Sequence, residues 1–113
     1  MIYDSFYAAH RQRKKCLALL IDPDNTDKVH LEELTKWVSR CSIDYIFVGG
    51  SLLKEDNLDY CLDYIKDHFH MPSILFPGDI FQINSKADGI LLLSLISGRN
   101  PELLIGRHVT AAP

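Results

Sequence analysis

Four short apolar runs alternate with longer amphipathic segments, and this alternation limits the possible folds more than any other feature of the chain. The runs cover residues 16–21, 45–48, 73–76 and 88–93. The run at residues 16–21 is uninterrupted, which is typical of a strand that is covered on both faces. Strands that alternate with helices form parallel sheets with right-handed crossovers, so the sequence predicts an α/β fold of four βα units.

Three helices are predicted between and after these strands. They cover about residues 26–40, residues 55–68 and residues 102–108, and the last has Asn100 as its cap and Pro101 at its first position. The 3.6-residue spacing predicts one apolar face on each of the first two helices. The predicted inward residues are Leu31, Leu34, Trp37, Val38 and Cys41 on the first helix, and Leu58, Cys61, Leu62, Ile65 and Phe69 on the second.

The connection between the third and fourth strands is unusually short. Only about eleven residues, 77–87, separate these strands, whereas a crossover helix with its two loops needs roughly a dozen or more. The helix between the third and fourth strands is therefore predicted to be missing, or reduced to a single turn at residues 80–83. The helix layer should have a gap there that exposes apolar sheet surface.

Composition restricts the class of protein. The chain has 113 residues, 47% of them apolar, and a formal net charge of −3. This length suits one domain, the apolar runs fall short of the ~20 residues that span a bilayer, and the acidic balance argues against nucleic-acid binding. Residues 1–15 have the wrong order of polar and basic residues for a secretory signal. The basic run of Arg11, Arg13, Lys14 and Lys15 is interpreted as a solvated lead-in to the first strand. Three widely spaced cysteines, Cys16, Cys41 and Cys61, are expected to be reduced thiols in a cytoplasmic core.

The number of strands suggests an incomplete barrel. A four-stranded parallel sheet has an apolar edge on each side, which proteins normally cover. A complete TIM (β/α)₈ barrel needs around 250 residues. Residues 1–113 are therefore predicted to form the N-terminal half of such a barrel.

Polar and small residues follow each predicted strand, where parallel α/β folds bind their ligands. They are Asp22 and Asp24 after the first strand, Gly49, Gly50 and Ser51 after the second, Gly78 and Asp79 after the third, and Ser94, Ser97, Gly98 and Arg99 after the fourth. A carboxylate and a hydroxyl on neighbouring strands suit Mg²⁺, and paired glycines allow an anion to approach the backbone. Three alternatives stay open: helix capping by the two aspartates, an ordinary turn at the glycines, and a surface role for Arg99.

Other candidate residues have simpler interpretations. His68 and His70 lie at and after the predicted end of the second helix, where capping or solvent exposure is more common than metal binding. Trp37, Tyr60 and Tyr64 are interpreted as packing residues or subunit contacts.

Four stretches of the chain resemble the geranylgeranylglyceryl phosphate synthase family. They are ALLIDPD at residues 18–24, FVGGS at 47–51, ILFPG at 74–78 and LSLISGRNPE at 93–102, and the last is the most specific. The resemblance implies a TIM-barrel prenyltransferase that joins a polyprenyl diphosphate to the hydroxyl of sn-glycerol 1-phosphate with the help of Mg²⁺. By position, Asp22 and Ser51 match the family's magnesium ligands. Gly49, Gly50, Ser97, Gly98 and Arg99 are the expected substrate-binding residues, and no catalytic residue is assigned.

The resemblance also implies what lies around this site. A cleft in the helix ring holds the isoprenoid tail, and glycine-rich loops after later strands of the barrel hold the glycerol phosphate. Because those strands are not in this sequence, the chain alone is expected to be inactive. A homo-oligomer is expected, with transient contact with a membrane surface through the lipid substrate.

Two other functions remain possible. The first is a receiver domain of the response-regulator type, with Asp79 as phosphoacceptor and Ser94 as switch hydroxyl. It requires a lysine after a fifth strand, and no lysine follows Lys86. The second is a noncatalytic half-barrel that associates through its sheet edges.

Overall fold

The computed structural model of the chain describes residues 1–50, 54–78 and 83–92, which form three helices and four strands. The helices are α1 (Ile2–Arg11), α2 (Lys28–Val38) and α3 (Glu55–His68). The strands are β1 (Ala18–Ile21), β2 (Tyr45–Val48), β3 (Ser73–Leu75) and β4 (Gly89–Ile90). The predicted bounds of β2 and α3 are confirmed. The predicted helix at residues 102–108 lies outside the described residues.

All four strands pair in parallel in the order β1-β2-β3-β4. Ala18 pairs with Tyr45, Ile46 with Ser73, and Ile74 with Gly89. Each strand therefore lies beside the next one in the chain, as in a barrel. A receiver domain has the order 2-1-3-4-5, in which β1 separates β2 from β3. The pairing of β2 with β3 argues against the receiver alternative.

Both α2 and α3 cover the same face of the sheet. Ile21, Ile46, Val48 and Leu75 of the strands form one buried cluster with Leu31 and Val38 of α2 and with Leu58, Cys61, Leu62 and Ile65 of α3. Every inward residue predicted for the second helix is buried, including Phe69. Because side chains alternate along a strand, Leu20, Phe47 and Phe76 lie on the opposite face, which we call the inner face.

The inner face is covered at one end by α1, which the sequence did not predict. Phe6 packs edge-on against Tyr45 with ring centroids 4.7 Å apart, and the Ser5 hydroxyl lies 2.6 Å from the Tyr45 hydroxyl. Ile2 lies against Gly89. Since Tyr45 and Gly89 begin their strands, α1 lies across the amino ends of the sheet. The segment before β1 therefore contains a helix that packs against the sheet.

Two expectations about buried residues were wrong. Trp37 is 71% exposed, because it lies about 120° around the helix from Leu31, at the margin of the apolar face. Cys16 is exposed, whereas Cys61 is buried and Cys41 is half-buried; all three are free thiols. Strand β1 begins two residues after Cys16, because the Asp44 carboxylate accepts a hydrogen bond from the backbone N–H of Leu17 at 3.0 Å.

The connection from β3 to β4 contains no helix in its described parts, residues 76–78 and 83–88. Its second part is attached to α3 by Lys86, whose ammonium group lies 2.5 Å from Asp59 and 2.7 Å from Asp63. The Asn84 side-chain amide also donates to Asp59 at 2.8 Å. The single helical turn that the sequence allows at residues 80–83 falls mostly outside the described residues, so the gap in the helix layer stays a prediction. None of the described helices has the length and hydropathy needed to cross a membrane.

Candidate active site

The carboxyl ends of β1, β2 and β3 surround a cleft of about 350 Å³. Its lining consists of Leu20, Asp22, Gly49, Gly50, Phe76 and Gly78. Three of the predicted site residues, Asp22, Gly49 and Gly50, therefore meet in one place. The other four, Ser51, Ser97, Gly98 and Arg99, lie outside the described residues, as do Asp79 and Ser94.

Asp22 is half-buried at the end of β1 and organises the loop that follows it. Its Oδ1 accepts from the backbone N–H of Asp24 at 3.0 Å, and its Oδ2 accepts from the side-chain amide of Asn25 at 2.6 Å. The Thr26 hydroxyl donates to the Asp22 carbonyl at 2.7 Å. Because each carboxylate oxygen can accept more than one bond, this Asx turn leaves Asp22 able to accept further bonds from the cleft side.

Gly49 starts the loop after β2 in a tightly enclosed position. Its N–H donates to the Ile21 carbonyl at 3.1 Å, and a Cβ at this position would overlap the backbone of Phe76. Only glycine lets the two strand ends approach so closely. The requirement for glycine at residue 49 is therefore structural.

Asp27 and Asp24 each bind the start of a helix, Asp27 that of α2 and Asp24 that of α3. Asp27 caps α2, because its Oδ1 accepts from the His30 N–H at 2.9 Å. Asp24 instead accepts from the Lys54 N–H and from the Asn57 side chain at the start of α3. The helix that follows Asp22 and Asp24 is therefore capped by Asp27, and Asp24 binds the start of the next helix, α3. Nothing in the sequence near Asp24 predicts its contact with Asn57.

The donor set at the cleft fits a magnesium ion. Within residues 1–50, 54–78 and 83–92, no cluster of three or more His, Cys, Asp or Glu side chains could hold a metal. Mg²⁺ does not need such a cluster, since it commonly binds through one or two carboxylates, keeps several waters and takes oxygens from a substrate phosphate. Asp22 is the described residue that could hold it.

The inner face beside the cleft is apolar. Phe47 and Phe76 stack with their ring centroids 6.3 Å apart, and Leu20 is 58% exposed next to them. Phe47 and Phe76 belong to the FVGGS and ILFPG motifs, and the sequence predicts no separate role for them. Side chains alternate between the two faces along each strand, and this alternation is the signal that assigns Phe47 and Phe76 to one face.

The two histidines singled out from the sequence lie away from the cleft. Nδ1 of His68 lies 2.9 Å from the Tyr64 carbonyl oxygen, and the two rings stack 3.9 Å apart. His70 is exposed. His68 therefore binds the last turn of α3, as its position predicted, and Tyr64 is a packing residue.

Comparison with known proteins points to one family. The sequence pattern of the PcrB family matches residues 9–113. A geranylgeranylglyceryl phosphate synthase of Zunongwangia profunda is 47% identical to this chain over 114 residues, which are 99% of the chain and 47% of the relative. Another, of Chitinophaga pinensis, is 45% identical over 112 residues, which are 99% of the chain and 44% of the relative.

Solved structures agree with the sequence comparison. The chain resembles (S)-3-O-geranylgeranylglyceryl phosphate synthase of Thermoplasma acidophilum, solved in complex with the substrate sn-glycerol-1-phosphate, with a TM-score of 0.78 and 28% identity over 92% of this chain and 43% of that one. It also resembles the wild-type GGGPS of Thermoplasma volcanium, with a TM-score of 0.76 and 31% identity over 86% of this chain and 39% of that one. The chain spans less than half the length of these relatives.

Proposed function

The chain belongs to the PcrB family, and on that premise we propose that it carries the magnesium and diphosphate side of a prenyltransferase active site. The reaction joins a polyprenyl diphosphate, of the geranylgeranyl type, to a hydroxyl of sn-glycerol 1-phosphate. The bond between the prenyl carbon and the diphosphate oxygen breaks, an ether bond forms, and diphosphate leaves. The product is a precursor of ether lipids.

The observation that carries this proposal is the meeting of Asp22 with Gly49 and Gly50 at one cleft. A carboxylate beside two glycines, at the carboxyl ends of neighbouring parallel strands, is suited to a metal-bound anion. The relatives described above bear the name geranylgeranylglyceryl phosphate synthase. The family match covers the motifs that contain these three residues.

Each predicted residue has a proposed role. Asp22 and Ser51 bind the cation, which when bound neutralises the charge that develops on the departing diphosphate. The backbone at Gly49 and Gly50 accommodates the diphosphate, and Ser97, Gly98 and Arg99 bind it from the side of the fourth strand. Arg99 supplies a fixed positive charge with several donors, which suits a diphosphate.

The apolar inner face suits the other part of the same substrate. Leu20 and Phe76 line the cleft together with Asp22, so a polar group and an apolar wall lie side by side. An isoprenoid chain that enters such a site is stabilised by removal of its surface from water. We propose that its tail extends toward the predicted gap in the helix layer between β3 and β4.

The glycerol phosphate site belongs, in this proposal, to the part of the relatives that this chain does not match. The 113-residue chain on its own is therefore expected to be inactive in prenyl transfer. We also propose a cytoplasmic location, a homo-oligomer and transient contact with membrane surfaces through the lipid substrate. The noncatalytic half-barrel is the alternative that an absence of ligand binding would favour.

A transfer assay tests the proposal. Radiolabelled geranylgeranyl diphosphate, sn-glycerol 1-phosphate and Mg²⁺ are incubated with the chain alone, and with the chain joined to the C-terminal part of the relative from Zunongwangia profunda. We expect labelled ether product only from the joined protein, and loss of product when Asp22 is replaced by Asn in it. Full activity of that Asp22→Asn protein would contradict the proposed site, and turnover by the chain alone would contradict the expected division between the two halves.

A further inference from the structure

The N-terminus of α3 has no cap from its own residues. Its capping position is Lys54, whose backbone is extended and whose side chain makes no capping hydrogen bond. The first N–H groups of any helix lack partners within the helix and need other acceptors. At α3 the acceptor comes from a different part of the chain.

The Asp24 carboxylate, in the loop between β1 and α2, is the acceptor at the N-terminus of α3. Its Oδ1 accepts from the Lys54 N–H at 3.3 Å and from the Asn57 side-chain amide at 2.7 Å. In a capping box, a carboxylate at the third helical residue accepts from the N–H of the capping residue. Here Asn57 is that third residue, and Asp24 supplies the carboxylate from the neighbouring βα unit.

Asp24 is itself held in place by the Asx turn at Asp22. The Asp24 N–H donates to Asp22, and the Asn25 side chain and Thr26 hydroxyl bind the same residue. The carboxylate that reaches α3 therefore projects from a turn whose polar groups are paired. A rigid support of this kind is what a residue needs in order to fix the position of another segment.

Gly49 and Lys54 are the two ends of the loop between β2 and α3, and both are attached to the β1–α2 side. Gly49 is bonded to the Ile21 carbonyl, and Lys54 is bonded to Asp24. Gly50 and Ser51 lie between these ends in the sequence. Lys54, where this connection enters α3, is therefore held by Asp24.

We propose that Asp24 is a positioning residue for the diphosphate site: it fixes the start of α3 at Lys54 without contacting the ligand. This inference rests on the proposed function, in which Gly49, Gly50 and Ser51 bind the diphosphate and its cation. Asp24 is not among the described residues that line the cleft. Its effect on binding comes from preorganisation, since loosely held binding groups lose affinity when they must be ordered by the ligand.

Amide hydrogen exchange, measured by NMR on the full 113-residue chain, tests the structural step. The amides of Asn57 and Leu58 bond to the Lys54 carbonyl, so fraying of α3 exposes them. Asp24→Ala should speed their exchange about fivefold, the effect of losing a typical helix cap. Asp24→Asn keeps Oδ1 as an acceptor and should change it about twofold or less.

Asp27 provides a matched control, because it is also an exposed aspartate that caps a helix. Asp27→Ala should speed exchange at the start of α2 about fivefold and leave α3 unchanged. The ligand step uses titration of the same variants with geranylgeranyl diphosphate in Mg²⁺. We expect Asp24→Ala to weaken binding about tenfold, and Asp24→Asn and Asp27→Ala to stay within about twofold of the unmodified chain.

Two results would overturn the inference. One is unchanged exchange at Asn57 and Leu58 in Asp24→Ala. The other is faster exchange without any loss of ligand affinity, which would make Asp24 a helix cap only. If the unmodified chain does not bind geranylgeranyl diphosphate at all, both the proposed function and the effect of Asp24 on ligand binding are wrong. The exchange data still decide whether Asp24 caps α3.

Discussion

The backbone carbonyl of Phe76 occupies the space that a Cβ atom of residue 49 would need, so the ends of β2 and β3 can meet only if residue 49 is glycine. Hydrogen bonds on both sides of Gly49 also hold the strand ends close together. Its own N–H donates to the Ile21 carbonyl at 3.1 Å, and the Phe76 N–H donates to the Val48 carbonyl at 2.8 Å. Gly49 therefore joins the three strand ends that surround the cleft.

Replacement of this glycine should be costly. In Gly49→Ala the new methyl group meets backbone, which cannot move without breaking strand pairing, so we expect a loss of about 3 kcal/mol or more in the free energy of unfolding. Gly89→Ala is the matched control, because its Cβ would meet the flexible Ile2 side chain at 3.2 Å. It should cost about 1 kcal/mol or less. Urea denaturation measures both, and equal losses would show that the contact with Phe76 is not the cause.

The hydrogen bond between Ser5 and Tyr45 is predicted to hold α1 on the sheet. Tyr45 is buried, and its hydroxyl lies 2.6 Å from the Ser5 hydroxyl. Tyr45→Phe and Ser5→Ala should each lower the free energy of unfolding by about 1 kcal/mol, and the double variant should lose less than their sum. Tyr3→Phe changes an exposed ring and should have no effect. Strict additivity in this double-mutant cycle would exclude a direct interaction.

The three thiols should differ widely in reactivity. Burial raises the pKa of Cys61 to about 12, whereas Cys16 is exposed. Because the thiolate is the reactive form, iodoacetamide at pH 8 should modify Cys16 first, Cys41 more slowly and Cys61 only after unfolding. Mass spectrometry of the alkylated protein gives the order. Modification of Cys61 as fast as Cys16 in the folded chain would contradict the packing of α3.

The raised pKa of Cys61 also predicts how stability depends on pH. Below the ordinary pKa of 9.0 the thiol is neutral in both the folded and the unfolded chain. Between that value and about 12 only the unfolded chain releases the proton, so the free energy of unfolding falls as the pH rises through this range. Cys61→Ala should remove this part of the alkaline slope in urea denaturation, and an unchanged slope would contradict the assignment.

Lys86 is predicted to control the ionisation of Asp59. The Lys86 ammonium group, followed by the Asn84 amide, holds the pKa of the Asp59 carboxyl below its usual range. The stabilisation is therefore present above the pKa of the unfolded chain and is lost as the pH falls through the lowered folded pKa. Lys86→Met should raise the pKa of Asp59 in a carboxyl NMR titration. Lys66→Met is the control. It removes a lysine of α3 that makes no salt bridge within the described residues, and it should leave the pKa of Asp59 unchanged.

Local patterns predicted much of the fold. The bounds of β2 and α3 followed from an apolar run closed by two glycines and from a long 3.6-residue stripe, and the structure has both as expected. The prediction that Trp37 faces inward was wrong, because residue spacing alone does not show where the apolar face of a helix ends. Trp37 lies at the margin of that face on α2 and is exposed to solvent. Helix α1 was missed because only a few of its residues, such as Phe6, are apolar and covered, and their partners lie far away in the sequence.

The candidate site was predictable to the extent that it depends on topology. Residues that follow parallel strands must meet at one edge, and Asp22, Gly49 and Gly50 do. The contact between Asp24 and Asn57 was not predictable, because it joins two loops whose separation depends on how α2 and α3 pack. Side-chain hydrogen bonds between different βα units leave no periodic signal in the sequence.

The most direct test of the proposed site is magnesium-dependent binding of geranylgeranyl diphosphate to the 113-residue chain, compared with its Asp22→Asn variant. Asn at residue 22 keeps an acceptor for the Asp24 N–H but loses the charge that holds the cation, and Asn25→Ala controls for the turn. We predict binding in Mg²⁺ that weakens at least about tenfold in EDTA and in Asp22→Asn, but not in Asn25→Ala. Equal magnesium-dependent affinity in the unmodified chain and in Asp22→Asn would contradict the account.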